Sequence, residues 1–336
     1  MSRRCAGVVV LVAAAAIVAG CGGSGRRSLV VYNGQHLQLT RSLASAFEHA
    51  TGIRVNLRTD DAVVLADQIL QEGGSSPADV YLSENSPELV ELAERGKLAR
   101  LPQSVLAQVP ARDRAPDGTW VGVALRVSSL VYNPSRISRS HLPHSILDLA
   151  RPRWKRKVAI APLDSDFPPV VGAVIATQGA TRAARWLAGL KRNADVYQDE
   201  EAVVAAVNRG DVATGVINQY YWFRLQREGG KAATHSALYY FPSGDPGSIV
   251  NVSGVAVLAS THRRREAERF VAFIVGPAGQ RLIAQGDDFE YPARPGISAN
   301  PALPAFGSIA HTSLQASRLG DDRAAVQLIL HAHLAS

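Results

Sequence analysis

A two-lobed α/β fold is predicted for this chain of 336 residues, and three observations predict it. Short apolar strands alternate with amphipathic helices from residue 29 onward. About 310 residues lie beyond an N-terminal targeting segment, more than one hydrophobic core usually serves. Two apolar stretches, 120–125 and 129–132, flank Arg126 and read as strands crossing between lobes, while 252–258 reads as the strand that brings the chain back. The expected division is 28–125 plus 251–296 for the first lobe and 126–250 plus 297–336 for the second. A ligand cleft is expected between them, at the carboxyl ends of the strands.

The first residues are a leader. Arg3 and Arg4 precede an uncharged apolar run, 6–20, which is too short for the roughly 20 residues that span a bilayer. It ends in Val18-Ala19-Gly20-Cys21, which resembles a bacterial lipobox. A signal peptide at 1–20, lipidation of Cys21 and a flexible tether at 21–27 through Gly22-Gly23-Ser24-Gly25 are therefore expected. Of the 2 cysteines in the chain, Cys5 lies in the leader and Cys21 is the acylation site, so the mature domain has no disulfide or thiolate metal ligand. Any metal must be held by oxygen or nitrogen. The formal charge of +7 becomes +5 once Arg3 and Arg4 leave. The basic residues are scattered along the chain, which excludes a nucleic-acid footprint but leaves room for an anionic membrane surface or an anionic ligand.

In chain order, 29–32 is an apolar strand, and Asn33-Gly34-Gln35-His36 is a polar turn before a helix with Leu43, Phe47 and Ala50 on one face, closed by Gly52. The alternation of Ile53, Val55 and Leu57 gives the next strand. Asp60 or Asp61 caps a second helix ended by Gly73-Gly74, and 78–82 is a strand from which Ser83-Glu84-Asn85 emerges as a second polar turn. Ser86-Pro87 starts a helix, with Ser as cap and Pro in the first turn. Further on, 145–149 reads as a short helix, 157–161 as a strand, 162–167 as a loop and 170–176 as an apolar helix. Helices at 181–190 and 200–208 follow, the second closed by Gly210, and 211–217 is a strand. Helices at 264–273, 278–284 and 321–331 complete the set, and the Pro/Ser/Gly-rich 298–308 reads as a linker.

The stretch that organises the chemistry is 216–227, where Val216-Ile217 end a strand, Asn218-Gln219 interrupt it, and Tyr220-Tyr221 stand where a helix begins. Adjacent side chains diverge by about 100° on a helix and face opposite sides on a strand, so only such a junction aims two phenols at one point. Taken alone, the dipeptide reads first as core packing; Tyr239-Tyr240, with no polar neighbours, is the chain's own control, so the dipeptide by itself decides nothing. The groups that follow strands are His36, Glu84, Tyr220 and Tyr221, with Asn218, Gln219, Arg126, Asp164, Ser165 and Asp166 around them. A phenol with an ordinary pKa near 10 ligates only when a metal displaces its proton, at about 4 kcal/mol each at neutral pH. Fe(III), hard and trivalent, repays that cost; zinc prefers Cys, His and carboxylate. Each group also has a plain reading, as cap, loop or surface charge. No nucleophile elbow, P-loop, metalloprotease helix or dinucleotide fingerprint is present, so no enzymatic activity is expected.

Four segments taken together make the chain similar to the bacterial ferric-ion-binding proteins, the extracytoplasmic receptors of ABC-type Fe(III) importers. They are Val31-Tyr32-Asn33-Gly34-Gln35-His36, Ser76-Pro77-Ala78-Asp79-Val80-Tyr81-Leu82-Ser83-Glu84, Ile217-Asn218-Gln219-Tyr220-Tyr221-Trp222 and Ser253-Gly254-Val255-Ala256-Val257-Leu258. The resemblance implies the type II periplasmic-binding-protein fold, with two discontinuous lobes that close on Fe3+. It implies His36, Glu84, Tyr220 and Tyr221 as ligands, and as partners an ABC permease, its ATPase and an iron donor or chelate. A monomer is implied, lipid-anchored at the outer face of the cytoplasmic membrane. One departure stands out. Where relatives hold a synergistic phosphate on a Ser-Gly-Ala-like turn, this chain has Asp164-Ser165-Asp166, with Arg126 and Asn218 at other anion-contacting positions. A smaller anion on Arg126, water, or direct ligation by Asp164 or Asp166 are the outcomes; an anion-weak site is expected. The alternative reading is a receptor of the same fold for an organic or inorganic anion, with Arg126 and Asn218 as its main groups and the tyrosines as walls.

Overall fold

The computed structural model describes residues 28–309, 311, 314–320 and 322–334. The leader, Cys21 and the tether lie outside the described residues. The first half runs β1 (Leu29–Asn33), α1 (Leu37–Thr51), β2 (Val55–Thr59), α2 (Ala62–Glu72), β3 (Val80–Ser83), α3 (Pro87–Glu94), β4 (Leu98–Ala99), α4 (Gln103–Leu106) and β5 (Trp120–Tyr132). Next come β6 (Val158–Ile160), α5 (Phe167–Gln178), α6 (Ala180–Asn193), β7 (Ala194–Val196), α7 (Glu200–Arg209), β8 (Thr214–Asn218), α8 (Gln219–Gly229) and β9 (Ala237–Tyr239). The remainder is β10 (Val250–Leu258), α9 (Arg264–Val275), α10 (Pro277–Gln285), β11 (Tyr291–Pro292) and α11 (Arg323–His331).

The main strand order is β2-β1-β3-β10-β5-β8-β6-β7. At one end β1 runs parallel to β2 and β3, and at the other β6 runs parallel to β7 and β8. Between them β10 and β5 run antiparallel to their neighbours. The two parallel groups are built by strand-helix-strand units, and each gathers its own apolar interior. Leu43, Phe47, Val80, Trp120 and Phe270 belong to one cluster, and Trp154, Val171, Trp186, Leu190 and Phe241 to another. Among the described residues, side chains from Leu29 to Leu334 supply these cores.

The structure corrects several local expectations. The two strands foreseen around Arg126 are one strand, β5, buried along all 13 of its residues. A charge in mid-strand signals a break only when water must solvate it, and Arg126 is wholly buried among carboxylates. Ala50 is exposed and α1 instead buries Leu39, Thr40, Leu43, Ala44 and Phe47. Ser86 makes no side-chain cap, although Pro87 does open α3; its hydroxyl donates to the Ala316 carbonyl instead. The apolar helix α5 begins at Phe167, so Pro168 and Pro169 occupy its first turn, where missing N–H groups cost nothing. The stretch read as a linker packs Leu303 in the first cluster, together with Ile309 and Ala316, whereas Leu319, Ala325, Ile329 and Leu334 pack in the second. Asp61, rather than Asp60, caps α2 through Val63 N–H, and Gly52 and Gly210 close their helices with positive φ as read. Among the described residues no helix is long and apolar enough to cross a membrane.

Candidate metal centre

Because β1 and β3 are parallel neighbours, the turns that follow them meet. In the first turn Asn33 Oδ1 accepts from Gln35 N–H (3.2 Å) and Thr40 Oγ1 (2.8 Å), while His36 N–H donates to Gln35 Oε1 (2.6 Å). These bonds fix the imidazole as the cap residue of α1. Its Nε2 lies 3.5 Å from Glu84 Oε1 and its Nδ1 lies 3.4 Å from Asp288 Oδ1. Burial pushes the imidazole down to about 4, against the pull of Asp288, so at neutral pH it is an uncharged ring with a nitrogen lone pair to offer.

From the other half, β8 ends at Asn218 in extended geometry and α8 begins at Gln219. Gln219 locks the junction: its Oε1 accepts from Val127 N–H (2.6 Å) on β5, and its Nε2 donates to the Phe289 carbonyl (3.1 Å). Tyr220 and Tyr221 then start the helix with rings stacked at 4.0 Å and 29°. Tyr220 is fully buried, with its hydroxyl 3.4 Å from Glu84 Oε1 and 3.3 Å from Asp166 Oδ2, and its one proton goes to one or the other. His36 meets the Tyr220 ring edge-on at 5.3 Å. Glu84 Oε1 is thus within 3.5 Å of donors from both halves. An octahedral ion with bonds of about 2.0–2.1 Å sets neighbouring donors roughly 2.8–3.0 Å apart, a small contraction from this spacing. Among the described residues no set of three or more His, Cys, Asp and Glu is disposed to hold a metal, so a metal here depends on phenolic oxygen.

The electrostatics are those of crowded carboxylates around one cation. Arg126 Nη1 contacts Glu84 Oε1 at 2.5 Å and Glu290 Oε1 at 3.6 Å; Nη2 donates to the Glu84 carbonyl and to Asn85 Oδ1 (2.6 Å), and lies 3.4 Å from Asp166 Oδ1. Burial alone would lower the guanidinium, but Asp166, Glu84 and Glu290 carry it well above its ordinary value. Burial pushes Glu84 up to about 7 even though Arg126 draws it down, and pushes Glu290 up to about 8. Burial, then the nearby Asp166, carries both Tyr220 and Tyr221 well above the phenol range. The arrangement resists phenolate charge until a strong cation enters.

The outer candidates separate. Asp166 points into the site at the start of α5, whereas Asp164 turns away: its Oδ1 accepts from Asp166 N–H (3.1 Å) and its Oδ2 from Glu200 N–H (2.9 Å) at the start of α7. Burial and Asp166 push Asp164 up to about 7. Ser165 enters through its carbonyl, which accepts from Asn85 Nδ2 at 3.1 Å. Asn218 N–H donates to Glu200 Oε2 (2.6 Å) and Asn218 Oδ1 accepts from Asn251 (3.1 Å). Its Nδ2 and Arg126 Nε are buried donors without an acceptor among the described residues. Sequence reasoning missed Asp288, Glu290, Asn85 and Glu200. The run Asp287-Asp288-Phe289-Glu290 was the available signal: acids flanking an aromatic residue just after a predicted helix.

Residues 75–306 match the family described as bacterial extracellular solute-binding proteins. The chain belongs to this family. As a solute-binding protein it carries a cargo and is not an enzyme. It is 38% identical over 312 residues to the Fe(3+)-binding periplasmic protein of Serratia marcescens, across 93% of this chain and 92% of that one. It is 34% identical over 303 residues to the major ferric iron-binding protein of Neisseria meningitidis, across 90% and 91%. Iron-bound HitA from Pseudomonas aeruginosa superposes with a TM-score of 0.86 at 39% identity, covering 91% of this chain and 99% of that one. The fold of this solute-binding protein is therefore the expected periplasmic-binding-protein fold.

Proposed function

We propose that this solute-binding protein is an extracytoplasmic receptor for ferric iron, held through His36 Nε2, Glu84, Tyr220 and Tyr221. The observation that carries the reading is the approach of His36 from one half and Tyr220 from the other to the same oxygen, Glu84 Oε1, within 3.5 Å. The relatives at 33–38% identity named as ferric- or Fe(3+)-binding support it. Two phenolates and a carboxylate balance a trivalent ion, and Asp288 behind His36 Nδ1 is the kind of carboxylate that orients a ligating imidazole. Two lobes are proposed to meet at this site, 28–125 plus 251–296 and 126–250, with the segment after 296 divided between them rather than belonging wholly to the second, since Leu303, Ile309 and Ala316 pack in the first cluster and Leu319, Ala325, Ile329 and Leu334 in the second. Acylation at Cys21 after removal of 1–20 would anchor a monomer to the outer face of the cytoplasmic membrane, from which iron taken from a donor or chelate passes to an ABC permease driven by its ATPase.

The loop 164–166 decides what completes the coordination shell. Asp166 N–H and Phe167 N–H are both bonded within the loop, to Asp164 Oδ1 and to the Asp164 carbonyl. Pro168 and Pro169 have no N–H. The backbone donors at 166–169 are thus taken or missing, and a carboxylate stands where a phosphate would be cradled. We assign the fifth ligand to Asp166, leaving Asn218 Nδ2 and Arg126 Nε as the places where a small synergistic anion could still bond. The anion-receptor alternative is disfavoured by Arg126, both of whose terminal nitrogens already face carboxylates.

Ferric titration of purified protein tests the function. Tyrosinate-to-iron charge transfer should colour the wild type, and Tyr220→Phe with Tyr221→Phe should abolish both colour and binding. Colourless protein under a ferric chelate, together with calorimetric heat from an anion alone, would replace iron with an anion as cargo.

A further inference from the structure

The second half carries a concavity remote from the proposed iron site, with a volume of about 330 Å³, lined by Arg136, Ser138, His141, Arg153, Trp154 and Lys157. Topology places it. Lys157 immediately precedes β6, whereas the loop 164–166 follows it; β8 runs parallel to β6 and reaches Asn218 at the site end. Antiparallel β5 pairs Tyr132 with Thr214, so Arg136, just beyond β5, lies at the start of β8. Arg136, Lys157 and their neighbours therefore stand at the opposite pole of this half from the metal centre.

Arg136, Arg153 and Lys157 are exposed, and among the described residues none lies within ion-pair distance of a carboxylate. The nearby acids are spent on other cations: Asp148 on Arg151 (3.0 Å) and Asp211 on Arg209 (2.8 Å). Exposed Lys155 and Arg156 adjoin the concavity in sequence. Arg153 lies over the Trp154 ring at 5.6 Å, and Trp154 Nε1 is a buried donor without an acceptor. The lining thus offers three exposed cations without a carboxylate partner among the described residues, beside the Ser138 hydroxyl, which is 2.7 Å from His141 Nδ1. Such a donor-rich hollow suits an oxyanion with several oxygens.

We propose that this basic pole is a docking surface for the phosphate headgroups of an anionic membrane. It accounts for part of the basic excess that the iron site, crowded with acids, leaves unexplained. It rests on the proposed function only in requiring a membrane beside the protein. Each Lys or Arg brought to an anionic surface adds to binding within a Debye length.

The test uses the chain from residue 28 onward, which contains both described cores and lacks Cys21, with vesicles of phosphatidylcholine and of phosphatidylcholine mixed with phosphatidylglycerol. Co-sedimentation is expected only with the mixed vesicles and should weaken steeply with salt. Arg136→Ala with Arg153→Ala and Lys157→Ala should cut partitioning by roughly 100-fold. Arg41→Ala with Arg95→Ala and Arg269→Ala, an equal change in charge on other surfaces, should leave most of it. Equal losses in the two triple variants, or indifference to phosphatidylglycerol, would overturn the proposal. So would saturable binding of inorganic phosphate at the pole without vesicle binding, which makes it a small-anion site. Ferric binding by both variants is expected to be unchanged, so failure of iron binding and failure of membrane docking are read separately.

Discussion

Tyr220 and Tyr221 hold their protons firmly, since burial and nearby carboxylates carry both well above the phenol range. In the proposed site iron must displace those protons, so ferric affinity is expected to rise with pH, and titration in weak buffer at a pH well above 7, where Glu84 is already ionised, should show about two protons released per iron; pH-independent affinity would remove the phenols from the shell. Asp166→Ser should make binding dependent on added phosphate or carbonate, whereas the wild type should colour in anion-free buffer. No change in anion dependence would leave Asp166 outside the shell. A group remote from the site gives an independent pH prediction. Asp113 is 4% exposed with one carboxylate oxygen unbonded, and burial pushes it up to about 6 against its neighbour Arg112. Below its unfolded pKa near 4 both states are protonated; as pH rises from about 4 to 6 the unfolded chain ionises first, and stability is lost. Asp113→Asn should therefore stabilise the protein by ~1–3 kcal/mol at pH 7 and by much less at pH 4, measured by chemical denaturation. The four proposed ligands were legible because each stands just beyond a strand or at a strand-helix junction. Asp288 and Glu290 were not, since they sit on an irregular loop whose position depends on the packing of Phe289.

At the scale of elements, α8 presents one face to that loop at four-residue spacing. Gln219 bonds to the Phe289 carbonyl at 3.1 Å, Phe223 stacks on Phe289 at 5.9 Å, and Arg227 pairs with Asp287 at 2.5 Å. Phe289 holds a positive φ of 51°, a backbone conformation that costs a bulky residue on the order of 1–3 kcal/mol and persists only where packing enforces it. Phe223→Ala should remove that enforcement and lower stability by about 3–5 kcal/mol. Arg227→Ala, a pair more than half exposed on both sides, should cost under about 1 kcal/mol. Denaturant midpoints of the two variants check the ranking, which inverts if the ion pair rather than the stacked rings holds the loop. Helix positions were readable from apolar spacing and capping residues, but β5 was not readable as one strand. A buried Arg126 interrupts the apolar pattern that periodicity relies on, and only its carboxylate partners, distant in sequence, make it tolerable in the interior.

For the molecule as a whole, length and the crossing strands announced two cores, while the division of the last forty residues between them was hidden in a Pro/Ser/Gly-rich stretch whose few apolar side chains find their partners only in three dimensions. Ferric iron at about a thousand times its dissociation constant should stabilise the fold by about 4 kcal/mol. Hydrogen exchange should slow in β3 and β8 together, because the proposed donors come from both halves; slowing in one alone would confine the site to that half. Arg126 lies where β5 passes from pairing with β10 to pairing with β8, opposite Asn251 and two residues before the position opposite Asn218. Its guanidinium grips the same Glu84 oxygen that faces His36 and Tyr220. A carrier has to let go as well as hold, and if Glu84 ligates the metal as proposed, a resident cation contending for its oxygen would be a built-in exit: it would weaken the grip on the cargo and take the carboxylate back when the metal departs.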